Sequence, residues 1–182
     1  INIIGAGGVG KTTLAKTVGH DFIYVDLEKP SDYDRVTRDP EFFFKQTPSN
    51  IIFDEAQLYP ELFAVLRGTI DEQRDKKGRF IITGSSSTEL LRNVSESLAG
   101  RIAIVELGTL KANELFQEPL SDFYQNFKQM LSKDNFKIES RPRSFDQTQE
   151  AWFKGGYPEP SGMHDDSYYQ EWMVNYEITY VN

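Results

Sequence analysis

The sequence predicts an α/β fold: a parallel five-stranded sheet with helices on both faces, followed by a small, mostly helical region. Two observations carry this. Five short runs rich in β-branched or aromatic residues lack the strict alternation of half-exposed strands, as expected for strands buried on both faces. Stretches with helical apolar spacing separate them, and alternating strands and helices imply a covered parallel sheet.

The first run, Ile1-Asn2-Ile3-Ile4, leads into a glycine-rich turn, and Thr13-Leu14-Ala15-Lys16-Thr17-Val18 reads as the helix after it. Phe22-Ile23-Tyr24-Val25-Asp26 and Asn50-Ile51-Ile52-Phe53-Asp54 are the second and third strands. A helix starts at Glu61 and continues into Ile70, with apolar residues three and four apart. Arg79-Phe80-Ile81-Ile82-Thr83 is the fourth strand, and Ser87-Thr88-Glu89-Leu90-Leu91 opens a helix with capping residues in front. Arg101-Ile102-Ala103-Ile104-Val105-Glu106 is the fifth strand.

After Gly108 the character changes, which divides the chain into a core over 1–108 and a helical lid or linker over 109–182. One helix is expected around Asp122 to Leu131, then a polar passage ending in Arg141-Pro142-Arg143-Ser144. Tyr168, Tyr169, Trp172, Met173, Tyr176 and Tyr180 recur at helical spacing, a stripe expected to pack on another element rather than hold a cofactor. Its packing partner is expected in a C-terminal part beyond residue 182 or in another subunit. Ile1 already lies inside a strand and Asn182 ends without a cap, so the chain reads as a piece trimmed at both ends.

The turn Gly5-Ala6-Gly7-Gly8-Val9-Gly10-Lys11-Thr12 fits the phosphate-loop pattern GxxxxGK followed by Ser or Thr at every fixed position. Strand, glycine turn and helix start in that order make a cradle for nucleotide phosphates. Gly5, Gly7, Gly8, Val9 and Gly10 supply inward-turned backbone N–H groups, and Lys11 reaches the β and γ oxygens. The Thr12 hydroxyl coordinates Mg²⁺, and Thr13 continues the first turn of a helix whose positive end faces the anion.

Downstream, Ile51-Ile52-Phe53-Asp54-Glu55 has the form of a Walker B segment, an apolar strand ending in adjacent acids. In such sites Asp54 holds Mg²⁺, directly or through water, and Glu55 polarises the attacking water. Thr83-Gly84-Ser85-Ser86-Ser87 ends the next strand at the edge where ligands bind in open α/β folds. Thr83 or Ser85 is placed to sense the γ-phosphate; capping of the following helix through Glu89 is the alternative use of these hydroxyls. Arg101, after Ala99-Gly100, reads either as a surface arginine at a strand start or as a catalytic arginine.

With these segments together the chain resembles an AAA+ ATPase, and more narrowly a group of bacterial and archaeal ATPases that share a series of motifs in one order. Here they read Val9-Gly10-Lys11-Thr12-Thr13-Leu14, Tyr24-Val25-Asp26-Leu27-Glu28, Asp54-Glu55-Ala56-Gln57 with Pro60, Ile82-Thr83-Gly84-Ser85-Ser86-Ser87, Ser95-Glu96-Ser97-Leu98-Ala99-Gly100-Arg101 and Gly155-Gly156-Tyr157-Pro158-Glu159-Pro160. The likeness covers most of 3–107 and returns over 150–180. The loop departs from it at Ala6-Gly7-Gly8, and Ala56 stands where an isoleucine is usual. The resemblance implies a P-loop NTPase sheet of the AAA+ type, ATP and Mg²⁺ as ligands, and a homo-oligomer in which Arg101 acts in trans on a neighbour's γ-phosphate. Such an arginine is worth about 10³ to 10⁵ in rate. It also implies a C-terminal domain after the helical region, which would engage a nucleic acid or protein partner. Two rivals share the phosphate loop: a nucleotide-gated switch or scaffold with negligible turnover, and a small-molecule kinase, for which neither lid arginines nor an acceptor pocket are visible.

Composition narrows the rest. With 182 residues, 38% of them hydrophobic, the chain can pack one ordinary α/β domain and a small appendage. No cysteine is present, which excludes disulfides, thiolate zinc sites and cysteine nucleophiles and fits a reducing cytoplasm. No run of 18 apolar residues and no signal segment occur, so no membrane partner is expected. The net charge of −8 works against binding a polyanion through general electrostatics. Lys133, Lys137, Arg141 and Arg143 surround Phe136, but Asp134 and Glu139 interleave with them. His20 and His164 lie in no ligand-spaced cluster. Asp165-Asp166 is expected to cap the aromatic helix, and Gly155-Gly156-Tyr157-Pro158 to form a turn where proline stops a helix.

Overall fold

A computed structural model describes residues 1–85, 92, 94, 96–120, 124, 144–162 and 165–180. The chain forms two compact units, Ile1–Gly108 and Thr109–Asn182. The helices expected from Ser87 and around Asp122 to Leu131 fall almost wholly outside the described residues, as do the basic residues between Lys133 and Arg143.

The first unit runs β1 (Asn2–Ile4), α1 (Lys11–Val18), β2 (Ile23–Asp26), α2 (Pro30–Thr37), α3 (Pro40–Gln46), β3 (Ile51–Asp54), a 3-10 turn (Ala56–Leu58), α4 (Leu62–Glu72), β4 (Phe80–Gly84) and β5 (Ile104–Glu106). The five strands form one sheet in the order β2-β3-β4-β1-β5, and every pairing is parallel. The three central strands β3, β4 and β1 are buried along their whole length, whereas β5 at one edge is exposed. This is why the inner runs read as continuous apolar stretches.

Alternation along each strand sends side chains to two cores. Ile3, Ile52 and Ile81 pack with Ala15 of α1 on one face. Ile4, Ile51, Phe53 and Ile82 pack on the other face with Val36, Phe43, Leu62, Phe63 and Leu66, drawn from α2, α3 and α4. Phe43, Phe44, Phe53 and Phe80 form a chain of ring contacts with centroids 5.5–6.5 Å apart.

The helices α2 and α3 are additions to the sequence reading. Each begins with proline at its first position, and Asp39 caps α3 by accepting from the Phe42 N–H at 2.9 Å. Their eight and seven residues are too short to show a clear apolar period.

The second unit contains α5 (Ala112–Leu115), α6 (Phe145–Lys154), α7 (Pro158–Ser161) and α8 (Asp166–Tyr180). Ser144 and Gln147 close a reciprocal capping box at the start of α6. The aromatic stripe finds a packing partner inside this unit. The Tyr169 hydroxyl donates to the Phe153 carbonyl at 2.5 Å, and Trp172 and Tyr176 surround Tyr157 at 5.5 and 4.8 Å between centroids. Tyr168 and Met173 stay exposed. The Asp165 carboxylate accepts from the Ser167 N–H and hydroxyl at the start of α8, which holds it below the usual carboxylate range. Pro158 begins α7 rather than stopping a helix; α6 ends one turn earlier, at Gly155.

Phe53 of β3 and Phe42, the first of three consecutive phenylalanines in α3, supply a stability test. Phe53 is fully buried, and Phe53→Ala is expected to cost about 3–5 kcal/mol in chemical denaturation. Phe42→Ala, on an exposed side chain, should stay within about 0.5 kcal/mol of the parent. Similar losses at both positions would contradict the packing described.

Candidate active site

The parallel sheet brings the carboxyl ends of β1, β3 and β4 to one edge, and the glycine loop leaves from β1 there. Gly8 and Gly10 hold φ of 77° and 96°, left-handed values that a β-carbon resists. They turn the loop back on itself and set Gly10 as the residue before α1, with no side chain capping the helix. The first helical turn therefore has no side-chain cap on its N–H groups, the local arrangement that suits an anion. Gly5 and Val9 are buried, Gly7 and Thr12 are half-buried, and Thr13 is exposed at the loop's outer side. Lys11 is 7% exposed and its ammonium folds back on the loop, donating to the Ala6 carbonyl at 2.9 Å.

Asp54 is the centre of the site. It ends β3, is 4% exposed, and its side chain lies on the α1 face, two residues along from Ile52. The Thr12 hydroxyl reaches both carboxylate oxygens, at 3.0 Å to Oδ1 and 2.9 Å to Oδ2. The Tyr24 hydroxyl donates to Oδ2 at 2.5 Å, and the Thr83 hydroxyl donates to Oδ1. Three hydroxyls from α1, β2 and β4 thus converge on one buried carboxylate. A charge taken out of water needs such partners. Burial pushes the Tyr24 phenol well above its ordinary range, and the hydrogen bond to Asp54 and that residue's charge push the same way, so the phenol stays a donor.

Thr83 has a second task. It is fully buried, and its oxygen accepts the Glu55 N–H at 3.3 Å while its proton goes to Asp54. The hydroxyl is therefore committed to holding the acidic pair, and Ser85, half-buried just after β4, is the hydroxyl nearer solvent. Glu55 sits at φ 56°, a left-handed conformation uncommon outside glycine that turns the chain sharply after β3. Its carboxylate accepts from the Gln57 amide.

Arg101 lies at the other edge. It precedes β5 and lines a hollow of about 520 Å³ with Ile1, Leu66, Arg74 and Phe80, at the amino ends of the strands. The length of β4, about 13 Å at 3.3 Å per residue, separates it from the loop of its own chain. Its guanidinium forms a two-pronged pair with Asp71 of α4, Nε to Oδ1 and Nη2 to Oδ2 both at 2.8 Å. Arg101, helped by Arg74, holds the Asp71 carboxyl down at about 2.

The phosphate loop, Asp54, Glu55, Thr83 and Ser85 thus share one edge, and Arg101 stands apart from them. Sequence reasoning gave no role to Tyr24 or Gln57, both of which lie inside motifs it quoted. Their partners sit across a strand pairing or around a tight turn, and neither relation has a fixed spacing. The Asp71 partner of Arg101 is 30 residues away and carries no signal of its own.

Among the described residues no helix is long and apolar enough to cross a membrane, and no group of three or more histidine or acidic side chains could hold a metal ion.

The sequence profile of a family described as an AAA domain matches residues 1–116, more than half of the chain. Uncharacterized proteins of Mycobacterium bovis and Mycobacterium tuberculosis are each 39% identical over 115 residues, which is 62% of this chain and 26% of theirs. The chain thus matches about a quarter of the length of these relatives. With an all-parallel sheet and a phosphate loop at its carboxyl edge, the chain belongs to the AAA domain family and carries a nucleotide-binding domain of the ATPase type.

Proposed function

We propose that this domain hydrolyses ATP with Mg²⁺, and that it does so as an oligomer with sites shared between copies. The convergence of Thr12 on Asp54, with Glu55 next in sequence, supports this most directly. Thr12 Oγ1 and the Asp54 carboxylate are hard oxygen donors about one hydrogen bond apart, a set that suits Mg²⁺. These two would hold the ion, which would supply positive charge against the phosphate oxygens.

The chain's own groups then divide the work. The Lys11 ammonium leaves the Ala6 carbonyl for the phosphates, and the N–H groups of the loop hold the same oxygens. Glu55 takes up a proton as water attacks the γ-phosphorus, the bond to the β-γ bridging oxygen breaks, and ADP leaves. Ser85 contacts the γ-phosphate, and Thr83 keeps Asp54 and Glu55 in register. Arg101 exchanges Asp71 for the γ-phosphate of a neighbouring copy. An ion pair at the surface is screened by water and salt and exchanges readily.

A second reading has one observation in its favour. Gln57 occupies the Glu55 carboxylate, and Lys11 is turned onto its own loop, so the arrangement seen is not set for turnover. A nucleotide-gated switch that binds ATP and hydrolyses it negligibly would keep that arrangement. A partner engaged outside this chain, nucleic acid or protein, belongs to either reading.

Glu55→Gln is expected to keep ATP binding within a few-fold while abolishing measurable turnover. Equal loss of binding and turnover would make Glu55 structural. Arg101→Ala should bind ATP normally and lose about 10³-fold or more in rate. Mixing it with Lys11→Ala subunits should restore part of the activity, because intact halves of a site then meet at some interfaces. No recovery at any mixing ratio removes the arginine from the neighbour's site.

A further inference from the structure

We infer that Tyr24 is a positioning residue for the metal-holding carboxylate, and that its hydroxyl aligns Asp54 with Thr12 for a divalent cation bound to the nucleotide. This rests on the reading of Thr12 and Asp54 as the metal-holding pair. Thr12 and Thr83 both reach Oδ1, while Oδ2 takes the Tyr24 hydroxyl in addition to Thr12. Without Tyr24 the carboxylate is held from the α1 and β4 sides only and can turn about its last bond. The third donor, from β2, fixes its plane.

Tyr24 is itself fixed from two directions. It pairs in register with Ile52, and its ring packs against the core of Ile3, Ala15, Ile52 and Ile81. The Lys16 ammonium lies 3.7 Å from the ring centroid, over its face. Lys16 is one helical turn beyond Thr12 on α1. The tyrosine therefore ties the helix that carries Thr12 to the strand that carries Asp54, one link through its ring and the other through its hydroxyl. A phenylalanine would fill the same space and keep the ring contact, so packing alone does not require the hydroxyl.

The test is calorimetric titration of the full chain with ADP, without metal and at graded Mg²⁺, for the parent and Tyr24→Phe. ADP without metal reports that the loop is folded and intact, and it should bind both proteins equally. The Mg²⁺ concentration needed for half of the metal-dependent tightening should rise about tenfold in the variant, as expected when a charged acceptor loses a donor. An unchanged Mg²⁺ requirement overturns the inference. Equal weakening of ADP with and without metal also overturns it, because Tyr24 would then support the fold rather than the carboxylate. If the parent shows no tightening by Mg²⁺, the metal-holding role of Thr12 and Asp54 fails and the role of Tyr24 with it.

Discussion

The carboxylate of Asp54 is the constraint around which the nucleotide edge is built. A carboxylate 4% exposed at the end of a central strand must be hydrogen-bonded on both oxygens, or its desolvation would destabilise the fold. Thr12, Tyr24 and Thr83 supply those bonds from three separate elements. Tyr24 and Thr83 reach it because the sheet is parallel and in register: Tyr24 stands beside Ile52 of β3, and Ile82, next to Thr83, stands beside Phe53, next to Asp54. Three hydroxyls orient the Asp54 carboxylate, and among the described residues no ion pair to it is formed. A lysine or arginine there would neutralise the charge that a metal needs.

The same sheet separates the remaining chemistry by edge. Strand polarity puts the phosphate loop, Asp54 and Glu55 at the carboxyl ends and Arg101 at the amino ends, about a strand length away. An arginine so placed cannot serve its own loop. In the proposed oligomer it would leave Asp71 and serve another copy presented head to tail, a geometry whose contacts are of one kind all the way round a closed ring. Asp71 meanwhile keeps the guanidinium extended in one orientation.

Much of this was legible in the sequence, and the parts that were not share a cause. The phosphate loop and the strands around it are local patterns, so Gly5 to Thr13 and the apolar runs could be read directly. Asp54 and Glu55 followed from their place at a strand end. Tyr24 looked like one more apolar strand residue, because its partner lies on a neighbouring strand and becomes near only through pairing. Thr83 and Ser85 could not be told apart by spacing; burial separates them, since the Thr83 hydroxyl faces Asp54 across β3 and β4. The helices α2, α3 and α6 were signalled by Pro30, Asp39-Pro40 and the Ser144 to Gln147 box, caps that are easily passed over when the helix is only two or three turns long.

The most direct test of the account is steady-state ATP hydrolysis by Asp54→Asn over a wide range of Mg²⁺, alongside binding of ATP without metal. Asparagine keeps an acceptor for the surrounding hydroxyls and removes the charge. The account predicts that metal-free ATP binding survives within a few-fold and that turnover is absent at every Mg²⁺ concentration. Turnover with the parent's rate and Mg²⁺ dependence would contradict it.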